Sequence, residues 1–303
     1  MITEQKNRTV EEVKKAYKHR YDNGIDAFFD MLLKEDWGFI TDTPESFPDL
    51  DLAWESPLRI TNAIIDIGVS SKHNMKSILS QLDELGCQAL QIRAYCLVPD
   101  RTLDDFLSHT LYSRLKSIEL LLQYTERINE SSIEKLISTH KRIHGIIVHS
   151  SPFDKSYKLE EAWCMVTFSK QTIDSCESCG HISQQYFAIN TPLFTEAQKF
   201  NTCLNRKISI DVDGNIKNCP SMEKSFGNIK DTSLVSALAK REFKELWEIN
   251  KDQIEVCKDC EFRYICTDCR AYITDDKNKY SKPSKCSYDP YTATWADITQ
   301  KSF

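Results

Sequence analysis

Residues 203–219 read CLNRKISIDVDGNIKNC, and this stretch decides the fold of the C-terminal third of the chain. Residues 207–212 have the alternating, β-branched composition of a short strand. Asp213-Gly214 then has the composition of a tight hairpin turn. Because a hairpin folds the chain back on itself, we expect Cys203 and Cys219 to lie close together.

A second block, residues 257–269, reads CKDCEFRYICTDC and is followed downstream by Cys286. It contains two C-x2-C pairs, and such a turn is tight enough for both thiolates to bind one metal centre. Soft thiolate ligands favour iron–sulfur clusters or zinc. The block therefore predicts metal binding.

Zinc is the alternative to iron–sulfur clusters. The four cysteines of the second block would complete one tetrahedral zinc site by themselves, but Cys203, Cys219 and Cys286 would then have no role. Seven cysteines in this order favour two centres. A further pair, Cys176 and Cys179, lies just upstream. One of its members would complete the first centre, or the pair would form a separate zinc half-site or two buried thiols.

The composition excludes several classes of protein. The net charge of −6 argues against a nucleic-acid-binding protein, which usually has a basic excess. No apolar run approaches the roughly 20 residues that span a bilayer, and the polar N-terminus does not resemble a signal peptide. We therefore expect a cytoplasmic protein without a membrane partner, whose twelve cysteines stay reduced.

Residues 58–172 alternate between strands and helices, which is typical of an α/β fold with a parallel sheet. The predicted strands cover residues 60–67, 89–95, 146–149 and 164–168, and the predicted helices cover residues 75–85, 103–122 and 132–141. Four strands are too few for a complete eight-stranded barrel. We therefore expect an incomplete (β/α) barrel or an open parallel sheet, followed over residues 173–303 by a cysteine-rich domain with little regular structure apart from a helix over residues 234–249.

Residues 1–50 are predicted to be largely helical. Thr9 and Glu12 form a capping-box pattern at the start of the first helix. Tyr17, Phe28 and Phe29 are apolar side chains in the predicted helices and are candidate substrate-binding residues. An ordinary helical hairpin is the alternative to a binding segment.

The order of the cysteines resembles that of the SPASM domain, which forms the C-terminal part of many radical-SAM peptide maturases. The stretches IDVDGNIKNCPSM, FGNIKD and VCKDCEFRYICTDC add to this resemblance. It implies two auxiliary [4Fe–4S] clusters, the first bound by Cys203, Cys219 and Cys269. The second would be bound by Cys257, Cys260, Cys266 and Cys286. One departure is that two residues, where the family usually has three, separate Cys266 from Cys269.

The chain lacks the C-x3-C-x2-C triplet that a radical-SAM enzyme needs after its first strand. At that place the sequence continues with VSSKHNMK, so we expect no binding of S-adenosylmethionine. The sequence also contains no nucleophile with a matching base, no phosphate loop and no nucleotide fingerprint. Whether the protein is itself an enzyme therefore stays open.

A SPASM domain on a barrel remnant without the triplet resembles the SPASM-domain protein of grasp-with-spasm peptide-maturation systems. The stretches TNAIIDIG and LGCQALQIR contribute to this resemblance, and residues 1–50 resemble the helical half of a leader-peptide recognition element. The resemblance implies an accessory maturase in ribosomal peptide biosynthesis that acts with an ATP-grasp ligase on a precursor peptide. The alternative function is a non-catalytic, zinc-stabilised peptide- or protein-binding module.

Overall fold

The computed structural model describes residues 8–48 and 50–296. The chain divides into two compact units, Met1–Leu52 and Ala53–Phe303. Within the described residues, no helix combines the length and the apolar character that crossing a membrane requires.

The N-terminal unit contains two helices, α1 (Val10–Ala16) and α2 (Asp22–Lys34). The predicted capping box is present at the start of α1, where the backbone N–H of Glu12 donates to Thr9 Oγ1 at 3.2 Å. The Glu12 carboxylate accepts the backbone N–H of Thr9 at 2.8 Å in return. Val13 is the one buried residue of the two helices, so this unit has almost no core of its own.

The second unit is built on one mixed sheet. Within the described residues its strands follow the order β5-β6-β4-β3-β2-β1-β7-β8. The strands are β1 (Asn62–Ile67), β2 (Ala89–Ala94), β3 (Ser117–Gln123), β4 (Ile143–His149), β5 (Lys155–Leu159), β6 (Cys164–Phe168), β7 (Lys207–Ile210) and β8 (Ile216–Lys217). The helices are α3 (Met75–Glu84), α4 (Asp100–Ser108), α5 (Glu130–Thr139), α6 (Thr191–Ala197) and α7 (Leu234–Ala239), and a two-residue hairpin, β9 (Tyr288–Asp289) with β10 (Thr294–Trp295), follows.

The sheet is mostly parallel and open. Six strands are paired in parallel, in the order β7, β1, β2, β3, β4 and β6. The two outer strands, β5 and β8, run antiparallel to their neighbours β6 and β7. No pairing among the described residues joins β5 to β8. The predicted α/β class is therefore confirmed in its open-sheet form. β1 is buried along almost its whole length, as expected for a central strand of a parallel sheet.

The prediction of one helix over residues 103–122 is wrong for the second half of that range. α4 ends at Ser108, and residues 117–123 form β3 between β2 and β4. Thr110 and Ser113 help to end the helix, because their hydroxyls donate to backbone carbonyls three residues earlier. The leucine run 120–122 is buried on both faces of the sheet, and periodicity alone does not separate such a strand from a buried helix.

The helix expected over residues 234–249 is also shorter than predicted. α7 ends at Ala239, Lys240 is extended, and a short 3-10 turn follows at Arg241–Lys244. The break lets Phe243 pack against the ring of Phe226 with their centroids 4.8 Å apart. Burial of the aromatic rings therefore outweighs helix continuation at this place.

The hairpin predicted within residues 203–219 is present as β7 and β8, and it extends the sheet. β7 pairs in parallel with β1, with Lys207 opposite Asn62 and Ile210 opposite Ile65. This pairing attaches the cysteine-rich region directly to the central strand of the α/β part. The position of the first cysteines is therefore set by the sheet.

Candidate metal centre

The β7–β8 hairpin positions Cys203 just before it and Cys219 just after it. Asn218 fixes its base, because the Asn218 side-chain amide donates to the backbone carbonyls of Leu204 at 3.0 Å and Lys207 at 2.7 Å. Lys207 Nζ lies 3.3 Å from Cys203 Sγ. The base of the hairpin therefore carries two thiols and an ammonium group side by side.

Four cysteines interact electrostatically in this part of the structure, and we call them the first sulfur group: Cys179, Cys203, Cys219 and Cys269. Burial raises the pKa of Cys219 to about 12, with Lys207 opposing the rise and with Cys203 and Cys179 adding to it. Burial also raises the pKa of Cys269, and Cys203 and Cys179 contribute again. The buried thiols Cys219 and Cys269 therefore both interact with Cys203 and with Cys179.

Gly180 lets the upstream cysteine turn approach this group. Its φ of +88° lies in the left-handed region that favours glycine. A Cβ at this position would lie 3.0 Å from Cys269 Sγ and 2.8 Å from Tyr272 Cδ2. Only a residue without a side chain fits between the turn and the sulfur.

The Cys176–Cys179 turn is fastened to the cysteine-rich region from three directions. The carbonyl of Cys176 accepts hydrogen bonds from Ser221 Oγ at 3.2 Å and from the Tyr272 hydroxyl at 3.4 Å. Lys285 Nζ donates to the carbonyl of Cys179 at 2.9 Å. Cys179 adds to the raised pKa of Cys219 and of Cys269, Cys176 adds to the raised pKa of Tyr95, and both add to that of Tyr272.

The remaining thiols of the region form the second sulfur group: Cys257, Cys260, Cys266 and Cys286. Burial raises the pKa of Cys257 to about 11 and that of Cys266 to about 12, and in both cases the charge of Cys286 adds to the rise while Lys251 opposes it. Burial raises the pKa of Cys260 as well, again with a contribution from Cys286. The two sulfur groups are the ligand sets that the resemblance implies, with Cys179 added to the first, and their role as ligands stays a prediction.

Asp268 lies between the two groups in sequence and in space. Its side chain is 1% exposed and bonds Arg270 Nη2 at 2.7 Å, Lys251 Nζ at 3.4 Å and Asn201 Nδ2 at 2.6 Å. Asn201 Oδ1 in turn accepts the backbone N–H of Cys203 at 3.1 Å. One buried carboxylate therefore links the segment that carries Cys266 and Cys269 to the start of the hairpin.

The type of donor in the two groups suits thiolate-bound clusters. Each group supplies four cysteine sulfurs, the ligand type that iron–sulfur clusters use, and each has a lysine beside it. Across residues 8–48 and 50–296, no three Cys, His, Asp or Glu side chains converge closely enough to hold a single metal ion.

The end of β1, where a radical-SAM triplet would follow, carries a buried ion pair instead. Arg93 donates from Nε and Nη2 to the Asp66 carboxylate at 2.6 and 2.8 Å, and the Tyr95 hydroxyl donates to it at 3.2 Å. His73 Nε2 lies 2.8 Å from the carbonyl of Asp66. The sequence analysis missed this cluster, although charged residues inside two strongly apolar strands were a visible signal.

A groove of about 1160 Å³ lies elsewhere in the second unit and contains no cysteine. It is lined by α4, α5 and the loop after β3. His140 lies at this groove, 6% exposed, and burial lowers its pKa even though Asp104 opposes the shift. The groove was not predicted from the sequence.

The aromatic residues chosen as substrate contacts lie in the N-terminal unit. Phe28 and Phe29 on α2 make an edge-to-face contact with centroids 5.9 Å apart, and Phe28 is 42% exposed. Tyr17, at the end of α1, contacts the ring of Tyr21 in the same way. The three residues therefore stay candidates, and their role as substrate contacts stays a prediction.

Comparison with known families identifies one region of the chain. The family model SPASM, described as an iron–sulfur cluster-binding domain, matches residues 202–261. No curated protein matches the chain. The matched residues include the whole β7–β8 hairpin, Cys203 and Cys219 from the first sulfur group, and Cys257 and Cys260 from the second. Residues 202–261 are therefore a SPASM domain, an iron–sulfur cluster-binding unit typical of radical-SAM-associated maturases.

Proposed function

We propose that this chain binds two [4Fe–4S] clusters, one in each sulfur group. The observation that carries the proposal is the SPASM match over residues 202–261, and the electrostatic interactions of Cys219 and Cys269 with Cys203 and Cys179, and of Cys257 and Cys266 with Cys286, support the division into two sites. In this assignment Cys179 is the fourth ligand of the first cluster, and Cys176 is a neighbour rather than a ligand. Zinc remains the alternative metal.

Bound iron–sulfur clusters supply one-electron transfer and tie together the segments that bind them. Two properties of the sites affect cluster binding: the burial of the thiols and the positive charge of the lysines beside them. Burial keeps the thiols of Cys219, Cys257 and Cys266 protonated in the empty protein, so binding a cluster releases protons from them. Lys207 and Lys251 then offset the negative charge of the thiolates.

Metal and sulfide analysis of anaerobically purified protein tests this proposal. We expect iron and acid-labile sulfide in near-equal amounts, about eight of each per chain. Cys219→Ser should lower both contents. Cys96→Ser should leave them unchanged, because Cys96 is a half-buried thiol outside both groups. Stoichiometric zinc without sulfide would contradict the proposal and support the zinc-stabilised binding module.

The function that we propose for the whole chain is that of an accessory maturase. It binds a ribosomally made precursor peptide and acts with an ATP-grasp ligase. Two features support this proposal: the SPASM domain, and an N-terminal unit that leaves aromatic side chains such as Phe28 and Trp37 exposed. Exposed aromatic side chains are suitable anchors for a peptide partner.

Titration calorimetry with the candidate precursor peptide, with and without the ligase, tests the partnership. We expect heat of binding in at least one arrangement and weaker binding for Phe28→Ala. Tyr112→Ala is the matched control, because Tyr112 is a fully exposed aromatic residue in the other unit. No heat in either arrangement, from protein shown to contain its clusters, would contradict the partnership.

A further inference from the structure

The ammonium group of Lys207 lies beside a cysteine sulfur at the base of the β7–β8 hairpin. Its Nζ lies 3.3 Å from Cys203 Sγ. Among the described residues no carboxylate oxygen lies within 4.0 Å of this ammonium group. A cation beside a sulfur is stabilised when that sulfur carries negative charge.

Arg93, another cation near this group, is already neutralised. Arg93 is affected by the charge of Cys179, but burial and then Asp66 are the larger influences on its pKa. Two hydrogen bonds, at 2.6 and 2.8 Å, bind its guanidinium to the Asp66 carboxylate. The positive charge of Arg93 is therefore largely offset, whereas that of Lys207 is available to the sulfurs.

The register of the sheet holds Lys207 in this position. Lys207 is the first residue of β7, it pairs with Asn62 of β1, and its carbonyl accepts the side-chain amide of Asn218. Lys217 on the adjacent strand differs, because its Nζ pairs with the Asp211 carboxylate at 3.0 Å. Two lysines of one hairpin therefore have different partners, a carboxylate for one and sulfur for the other.

We propose that Lys207 is a positioning residue that donates a hydrogen bond to the Cys203 ligand sulfur and raises the reduction potential of the first cluster. The inference rests on the proposed function, since it requires a cluster in the first sulfur group. Reduction adds one electron, taken from an external low-potential reductant, and no bond forms or breaks. A nearby positive charge and an N–H donor stabilise the added electron, and hydrogen bonds to the sulfurs and local charge both tune cluster potentials.

A redox titration of the fully loaded protein, monitored by electron paramagnetic resonance, tests the role of Lys207. In Lys207→Met we expect one of the two midpoint potentials to become more negative while the other stays constant. Lys207→Arg keeps the charge and should restore most of the shift. Lys158→Met is the control for the loss of one positive charge, because Lys158 lies on β5, at the opposite edge of the sheet, and both potentials should stay constant.

The iron and sulfide content of each protein distinguishes a failure of the proposed function from a failure of the inference about Lys207. Wild-type protein without iron and sulfide would overturn the proposed function and this inference with it. Fully loaded Lys207→Met with both potentials unchanged, or with both shifted equally, would overturn the inference alone. If Lys207→Met does not retain its clusters, Lys207→Gln keeps a donor without the charge. It should shift the same single potential, and no shift would again contradict the inference.

Discussion

The sheet and the cysteine-rich region are stabilised in different ways. The sheet has a continuous apolar core, which includes Ile65, Ile92 and Leu120. The region after residue 248 has a small one, in which Ile249, Ile254 and Cys257 are the buried members within the described residues. Its other buried groups are largely thiols and charges, such as Asp268 and Lys251. The difference indicates that the sheet folds on apolar burial, whereas the cysteine-rich region depends on what its thiols bind.

Loss of a cluster should produce the largest difference between the two regions. A structural metal site contributes on the order of 10 kcal/mol to the folding of the segment that it ties together. Cys260→Ala should therefore make residues 250–296 sensitive to limited proteolysis while the sheet stays resistant. Cys96→Ala is the control. An unchanged digestion pattern for Cys260→Ala would show that the second group has no structural role.

Removal of the Asp268 carboxylate should have the next largest effect. Asp268→Ala leaves the buried cations Lys251 and Arg270 without their shared partner, and breaking a buried pair costs about 3–5 kcal/mol. Asp252→Ala, at a partly exposed ion pair with Arg263, should cost less than about 1 kcal/mol. Urea unfolding of both loaded variants measures the difference, and equal losses would contradict the central role of Asp268.

A cavity in the sheet core should destabilise the other region. Leu120 on β3 is 2% exposed, so Leu120→Ala should lower the free energy of unfolding by about 3 kcal/mol. The loss should be the same with and without bound metal, because the leucine belongs to the apolar core. Leu97→Ala, at an exposed leucine, is the control. A loss that disappears when metal is removed would contradict the separation of the two regions.

A methyl group at Gly180 should lower the metal content of the first sulfur group and leave that of the second unchanged. Gly180→Ala forces a Cβ against Cys269 Sγ and Tyr272 in a left-handed conformation, at a cost of about 1–3 kcal/mol. We expect about half of the iron and sulfide to be lost, with the second group still loaded. Gly24→Ala is the matched control, since nothing lies within 4 Å of its added Cβ. Full metal content in Gly180→Ala would show that the turn tolerates displacement.

His140, which follows α5, should make the stability of the α/β part depend slightly on pH. Burial lowers its pKa, so the folded protein favours neutral imidazole and the unfolded chain binds the proton more tightly. Stability should therefore fall as pH drops below about 6.5, the ordinary value for histidine. Melting temperatures at pH 7.5 and pH 5 should differ less in His140→Asn than in wild type. His144→Asn, at an exposed histidine, should not change the difference.

Local signals in the sequence were enough for the features that depend on local chemistry. The capping box of Thr9 and Glu12, the turn at Asp213-Gly214 and the order of the cysteines all act over a few residues. The predicted open, mostly parallel α/β sheet is confirmed for the same reason, because the strands before and after α3 and α5 show clear apolar patterns. The ligand sets inferred from the cysteine order stay predictions.

Other features required the tertiary structure because they depend on partners distant in sequence. Residues 117–123 are a strand because β2 and β4 hydrogen-bond to both of its edges, and no local pattern shows those partners. Lys207 faces sulfur because β7 pairs with β1, some 145 residues earlier. Tyr272, Ser221 and Lys285, which are distant in sequence, fix the Cys176–Cys179 turn through hydrogen bonds to its carbonyls. The sequence alone therefore determined which chemical groups are present and in what order, and long-range pairing decided which of them meet.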